Sequence, residues 1–529
     1  MQRFSLGIQR FFGILAIICV GWMLYAFMFT PRLGALSSLY RPRYPLEIPG
    51  LDWVAMGVAI AIIVLVKCWH VPVKLSDNWI NCLFAIELVL YFIALVSFVR
   101  WLDYTHAVDD AQVVLNWLHH FKQADPWRDN SWATQYMYSN PQNLFLMLSY
   151  KLVEIVFGHN FFALVVVYCL MHIGTLALTM GILRGLGMSS GYAFITMQLY
   201  LAMIQITLQA PLIYTDTLAL LFITITCYAL MRYLNAQGLR SQIIWLILMS
   251  MAAMIAYLSK GTSLIVIIAL MVFLLMTQSR KRILFAFIPI IVLLVGNLAW
   301  RAGVDQVGIY PDQGYGQPNT HYIMMGMSNT PIPDDRRNAK GDWQVGIFSA
   351  ADQSYSWKLF YQARLSKKAI EKKQLHRYLK RVTRMSPSQF IAALNNKVSV
   401  VWGSGDLKTS FSLARGMADA NRGIKLFSGK KWGRPVYFVM TVTQLVLYLG
   451  IVLAVIKFFN RRDDVVLLGS IFISGYFAFI LLWEANPRYA IIIVPIGVMM
   501  LGKFFSPVNH QVADTIHKQK FDSKGRVSA

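Results

Sequence analysis

Apolar residues run along this chain in long uninterrupted stretches, and the polar positions are gathered into the gaps between them. Stretches long enough for a helix to cross a membrane, about 17 to 25 residues, lie at 11–29, 51–68, 83–101, 161–182, 190–208, 212–233, 242–258, 262–278, 283–300, 434–457, 465–483 and 487–504. Inside lipid every backbone amide must be satisfied within its own segment, so these twelve stretches predict helices. The chain therefore reads as an all-α polytopic membrane protein with about twelve transmembrane helices. A thirteenth apolar stretch, "LFLMLSYKLVEIVF" at 144–157, is too short to span and carries Lys151 and Glu154. It predicts an interfacial or re-entrant helix instead.

The polar gaps give an orientation. If each run spans once, Arg232, Arg240, Ser279–Arg282, Lys457, Arg461 and Arg462 share one side with both termini, and the excess of Lys and Arg in short loops makes that side cytoplasmic. The segments 30–50, 102–160 and 301–433 then lie outside, with the short turns around 209–211, 259–261 and 484–486. Only the 30–50 loop departs from the rule, with Arg32, Arg41 and Arg43. The first apolar run follows Arg3 and Arg10 but has spanning length and no small-residue cleavage site, so it predicts a retained first helix. The expected order is N-terminal spans (1–101), an extracytoplasmic loop (102–160), a transmembrane core (161–300), a late extracytoplasmic helical region (301–433), C-terminal spans (434–505) and a basic cytoplasmic tail (506–529).

Within the first outer loop, Val113, Val114, Trp117, Leu118 and Phe121 recur at helical spacing and predict a surface helix over 109–121. In the late region, 364–384 holds nine Lys or Arg and a single acid, with Leu375, Tyr378, Leu379 and Val382 at helical spacing, which predicts a basic amphipathic helix. Ser386 and Pro387 are suited to cap and open a further helix, "SPSQFIAALNNKVSVVW".

Composition narrows the class. Hydrophobic residues make up 57% of the chain and charged residues 14%, where soluble domains average about a quarter charged. The net charge of +24 points to anionic lipid headgroups and basic inner loops, and no nucleic-acid module is present. The five cysteines are scattered among apolar runs with no CxxC, which supports neither a zinc site nor a disulfide framework. Walker, HExxH and GxSxG motifs are also missing, so nucleotide hydrolysis, zinc hydrolysis and serine-triad chemistry lack support. No cofactor is expected, and no convincing metal-ligand set is visible.

The candidate chemistry clusters on one face. Asp109 and Asp110 stand side by side at the start of the outer loop; either can cap a helix, and either can serve as a general base for an acceptor hydroxyl. Asp216, with Tyr214, Thr215 and Thr217, sits at the end of an apolar run, where a carboxylate is costly and by default functional. "WEANPRYAIII" brings Glu484, Asn486, Arg488 and Tyr489 between the last two spans, and Arg488 has the donor fork that suits a phosphate. Lys260 in "LSKGTS" is a second phosphate candidate or a snorkelling interface residue. Asn140, Gln142 and Asn143 in "NPQN" supply amides for sugar hydroxyls or loop caps. Trp127, Trp132, Tyr136 and Tyr138 suit sugar stacking and an interfacial belt equally. Glu87, inside the third run, predicts a helix-packing role.

"VDDAQ", "NPQN", "PLIYTD", the long late outer region and "EANPRY" together resemble the GT-C class of integral membrane glycosyltransferases, in particular the bacterial protein O-mannosyltransferase and aminoarabinose transferase group. "HYIMMGMSNTP" and "GDWQVGIFSAAD" are similar to patterns in Gram-positive members. The resemblance implies sugar transfer from a polyprenyl-phosphate-linked donor to a cell-envelope acceptor outside the plasma membrane. Asp109 would be the base with Asp110 its acidic partner, although the family more often has Asp-Glu there and fewer preceding spans, which leaves the base open between the two. Arg488, Lys260 and the basic helix, including Lys372 and Arg377, would lie near the lipid phosphate; Asp216, Tyr214, Asn140, Gln142, Asn143 and Glu484 would contact sugar or acceptor. The alternatives are a transporter or flippase of a lipid-linked or anionic substrate, a polyprenyl-linked glycan polymerase or ligase, and a non-catalytic organiser of wall synthesis.

Overall fold

The computed structural model describes residues 2–30, 50–68, 76–119, 124–312, 314–328, 346–428 and 431–507. The 30–50 loop arginines, Phe121, residues 329–345 across the two quoted late motifs, and nearly all of the basic tail fall outside that set. The described residues are helical throughout, apart from loops and one isolated bridge between Tyr104 and Met417.

All twelve apolar runs are helical, and among the described residues ten helices are long and apolar enough to cross a membrane. Two runs differ from the expectation. The run at 190–208 is broken into Ser190–Leu201 and Ile204–Leu212, bent by 67°. A freed carbonyl is satisfied from outside, the Tyr91 hydroxyl donating to Leu201 at 3.0 Å, and the Gln198 side chain donates to the Glu87 carboxylate at 2.7 Å. Glu87 thus holds a helix pair together, as its position predicts. The other is Gly261–Thr277, shorter than the spans, whose first turn, Gly261–Ser263, is wound as a 3₁₀ turn.

The bundle has two distinct ends. At one, Arg10 bonds Asn460 at 2.7 Å, Lys457 donates to the carbonyls of Lys503 and Phe504, Asn235 donates to the Gly185 carbonyl, and Arg282 donates to Gln242. These contacts gather the basic loops and the start of the first span, the grouping that loop parity requires. The opposite end carries 102–160 and the late helices.

At that second end, helix Asp109–His119 packs on helix Leu144–Phe157. The stripe of the first is not a membrane-surface face: Val113, Val114, Trp117 and Leu118 are all buried in a core shared with Leu95 and Val99 of a neighbouring span. The periodicity marked a buried face correctly, but the apolar partner is protein. Leu144–Phe157 keeps both characters, burying Leu146, Met147 and Tyr150 while exposing Leu152, Ile155 and Val156.

The basic stretch forms helix Lys367–Val382, and Ser386 opens Pro387–Trp402 through a capping box with Gln389. This last helix descends into the bundle, where Trp402 is fully buried and stacks on Phe477 with ring centroids 5.1 Å apart. The capping box satisfies two amides that nothing else serves. Ser386→Ala is therefore expected to lower thermal stability by about 1 kcal/mol, read from the melting curve of the detergent-solubilised protein.

Candidate active site

A cavity of about 1220 Å³ opens at the second end of the bundle. It is lined by the acid pair, the "NPQN" turn, Tyr214, Lys260 and the Glu484–Tyr489 stretch, segments far apart in sequence.

The acid pair is placed by a clamp on its own loop. Thr105 and His106 donate their amides to the Gly416 carbonyl at 2.9 and 3.3 Å, and Gly416 packs so tightly on the Tyr104 ring that a Cβ has no room. The chain then turns sharply through Asp109, whose φ of 53° lies in the left-handed region that L-residues adopt at a cost. The clamp delivers Arg415 to Asp109 at 2.5 Å, with Lys408 at 3.7 Å. Burial alone would raise the Asp109 pKa, but Lys408 and Arg415 outweigh it and hold the carboxyl below the usual carboxylate range. Asp110 has different company: the Tyr214 hydroxyl donates to it at 2.6 Å. The two carboxylates are thus chemically unlike, one ion-paired and one held by a neutral donor.

Lys408 is itself held by strained backbone. Leu407 and Lys408 both have positive φ, and Gln209 pins the turn by bonding the Leu407 carbonyl at 3.3 Å and the Thr409 hydroxyl at 2.5 Å. Burial lowers the Lys408 pKa, against the pull of Asp109.

A second cluster lies around Asp216, which is buried beneath the cavity rather than lining it. It forms a close ion pair with Lys260 and a longer one, 3.5 Å, with Arg488. Sitting in the first turn of Thr215–Asn235, its charge is also favoured by the helix dipole. Asp216 therefore positions two cations. Both face the cavity over aromatic rings, Lys260 above Tyr489 at 4.8 Å and Arg488 above Tyr214 at 4.4 Å. The Arg488 Nε is buried with no acceptor among the described residues, leaving a directed donor for a ligand oxygen.

Glu484 closes the ring of charge. Burial first, then Asp110, raises its pKa to about 7, while Arg488 and Lys408 pull the other way. Its loop is fixed by Lys397, a buried lysine donating to the carbonyls of Leu481 and Trp483 at 2.7 and 2.8 Å. Opposite, Gln142 donates to the Tyr322 hydroxyl at 3.1 Å, which donates to Asn140 at 3.2 Å, and Tyr322 stacks on Trp483 at 4.9 Å. Asn143 donates to the Tyr136 hydroxyl at 2.8 Å. The amides and rings form one wall.

Of the residues singled out in the sequence, the cavity brings together Asp109, Asp110, Asn140, Gln142, Asn143, Tyr214, Lys260, Glu484 and Arg488. It does not take in Lys372 or Arg377: Lys372 is exposed, and Arg377 is bound to Asp352 at 2.9 Å and stacked on Tyr355. Lys367, the first residue of helix Lys367–Val382, does line the cavity, and three cations not foreseen line it too, Lys408, Arg415 and Arg301. Among the described residues no group of three or more His, Cys, Asp or Glu side chains is arranged to hold a metal ion.

The fold and cavity describe a polytopic all-α membrane protein with an anion-ready site at one end of its bundle. Residues 144–300 match the family model of dolichyl-phosphate-mannose-protein mannosyltransferases, in line with the GT-C resemblance of the sequence motifs. Among solved structures, ArnT from Cupriavidus metallidurans bound to undecaprenyl phosphate is similar at 12% identity over 82% of this chain and 78% of that one, with a TM-score of 0.32. The apo state of ArnT gives the same identity and TM-score over 81% and 77%. No curated protein sequence matches the chain.

Proposed function

We propose that this protein is a plasma-membrane glycosyltransferase that moves a sugar from a polyprenyl-phosphate donor to a cell-envelope acceptor, with its site on the extracytoplasmic face and both termini in the cytoplasm. The observation that carries the reading is the pairing, in one cavity, of a carboxylate held by a tyrosine hydroxyl, with no ion pair among the described residues, and four cations set around it. The basic loops at the opposite end support the orientation.

In this scheme the acceptor hydroxyl oxygen attacks the anomeric carbon while the bond from that carbon to the phosphate oxygen breaks. The lipid phosphate leaves with the bonding electrons, and Asp110 takes the hydroxyl proton, so the anomeric configuration inverts. Lys260, Arg488, Lys408 and Arg415 offset the charge that grows on the leaving phosphate. Asp109 and Asp216 hold those cations in place before the donor arrives. The amide wall and the Tyr322–Trp483 stack suit a sugar's hydroxyls and its apolar face. Asp110 is favoured over Asp109 as base because the latter's lone pairs are committed to Arg415 and Lys408.

The reading is tested by binding. A polyprenyl phosphate is expected to stabilise the purified protein against heat and the matching polyprenol is not, with the difference lost in Arg488→Ala. Because Glu484 gains its negative charge as pH rises through about 7, it then competes with the phosphate for Arg488 and Lys408. Phosphate-lipid affinity is expected to fall above that pH in the native protein and not to fall in Glu484→Gln. Equal binding of phosphate and alcohol would sink the assignment.

A further inference from the structure

The most cationic stretch of the chain contributes only Lys367 to the cavity. The inward face of helix Lys367–Val382 buries Ile370 and is otherwise polar and partnered. Gln374 accepts from the Thr320 hydroxyl at 2.6 Å and donates to Ser356 at 3.0 Å, while Arg377 and Arg381 reach Asp352 at 2.9 and 2.6 Å. These bonds fix which way the helix is turned about its axis.

Its two ends are tied to short segments that adjoin the ends of two membrane-crossing helices. Lys367 donates to the Tyr315 carbonyl and lines the cavity with Arg301, which lies in the last two turns of the span ending at Val307. At the other end Arg381 donates to the Met324 carbonyl at 2.9 Å. Gly326, two residues further on, packs against the carbonyl of Leu482, the last residue of another span, so closely that a Cβ would not fit. A helix of 16 residues is about 24 Å long. It therefore lies across the site end of the bundle, at the depth where the spans give way to polar loops.

One flank of this helix remains open. Lys368, Lys372, Leu375 and Leu379 follow one another at three- and four-residue spacing and so form a single stripe. Both lysines are exposed, and the two leucines are 42% and 48% exposed. Leucines interleaved with lysines at this depth fit a bilayer surface: the leucines enter the acyl boundary, the lysine stems lie along it, and the ammonium groups meet headgroup phosphates. Of the nine Lys or Arg over 364–384, two are paired with Asp352 and Lys367 lines the cavity, which leaves six against the single acid Glu371, and charge complementarity selects anionic headgroups.

We propose that the Lys368–Leu379 stripe docks on the anionic phospholipid surface of the leaflet at the site end, making this helix a lipid-bound strut that begins at the cavity lining. The test is lysine labelling of the full-length protein in nanodiscs with a membrane-impermeant acylating reagent, read residue by residue by mass spectrometry, with Lys373 and Lys380 on the other flank as reference. Lys368 and Lys372 are expected to be labelled severalfold less in discs containing phosphatidylglycerol than in phosphatidylcholine alone. Leu375→Ser with Leu379→Ser is expected to remove the protection. Equal labelling in the two lipids would overturn the proposal. So would the same protection in phosphatidylcholine discs given soluble polyphosphate, which would make the face a site for a soluble polyanion.

Discussion

Asp110→Asn is expected to abolish sugar transfer while leaving the protein folded and its donor affinity nearly unchanged. The asparagine keeps the size of the carboxylate and its bond to Tyr214 but cannot take a proton. Loss of a positioned general base typically costs about 10²- to 10⁴-fold in rate, and here that loss should appear in kcat. Asp109→Asn should behave otherwise. It releases Arg415 and Lys408 from their ion pairs at 2.5 and 3.7 Å, so those cations become freer for phosphate. Donor binding should tighten, with a smaller loss of rate from the disturbed cation geometry. Steady-state kinetics of both variants decide the matter: the mirror-image result would make Asp109 the base, and full activity in both would remove the acid–base scheme.

The second large effect concerns stability. Asp216→Ala removes the only carboxylate paired with both Lys260 and Arg488 among the described residues, and leaves two cations facing each other with little water to solvate them. Breaking a buried ion pair from one side typically costs about 3–5 kcal/mol. A marked drop in Tm and in the monodisperse yield in detergent is expected. Lys260→Met added to Asp216→Ala should recover part of the loss, because it removes one of the two stranded charges, whereas independent sites would simply add. A Tm unchanged in Asp216→Ala would mean that the cluster is hydrated and the carboxylate does not organise it.

How much of this was legible follows from what each signal depends on. The spans were readable because a helix in lipid needs an unbroken apolar window, and Leu51–Cys68 begins and ends where its run does. The 67° bend was not, since the bonds that hold it come from Tyr91 and Glu87, more than a hundred positions away. Asp216, Lys260 and Arg488 stood out because charge at the end of an apolar run is expensive. Asp216 nevertheless holds cations instead of facing the cavity. Lys408 and Arg415 gave no such signal, being ordinary cations in a polar loop whose partner, Asp109, is 306 positions from Arg415. Charge density drew attention to Lys372 and Arg377, but a dense run mostly marks a solvated or internally paired face, and Asp352 claims Arg377. The stripe of Asp109–His119 shows the same limit from the apolar side: periodicity says which face is buried, not whether lipid or protein covers it.

The central claim is that the cavity transfers sugar, and the most direct measurement is made where no membrane gradient exists. Purified protein in detergent would be given a polyprenyl-phosphate donor labelled in its sugar, together with an extract of cell-envelope acceptors, and the label and its anomeric configuration followed. The account predicts release of polyprenyl phosphate with the label moved to acceptor in inverted configuration, and no movement with Asp110→Asn. Donor that is bound but never cleaved, or a product of retained configuration, would contradict it.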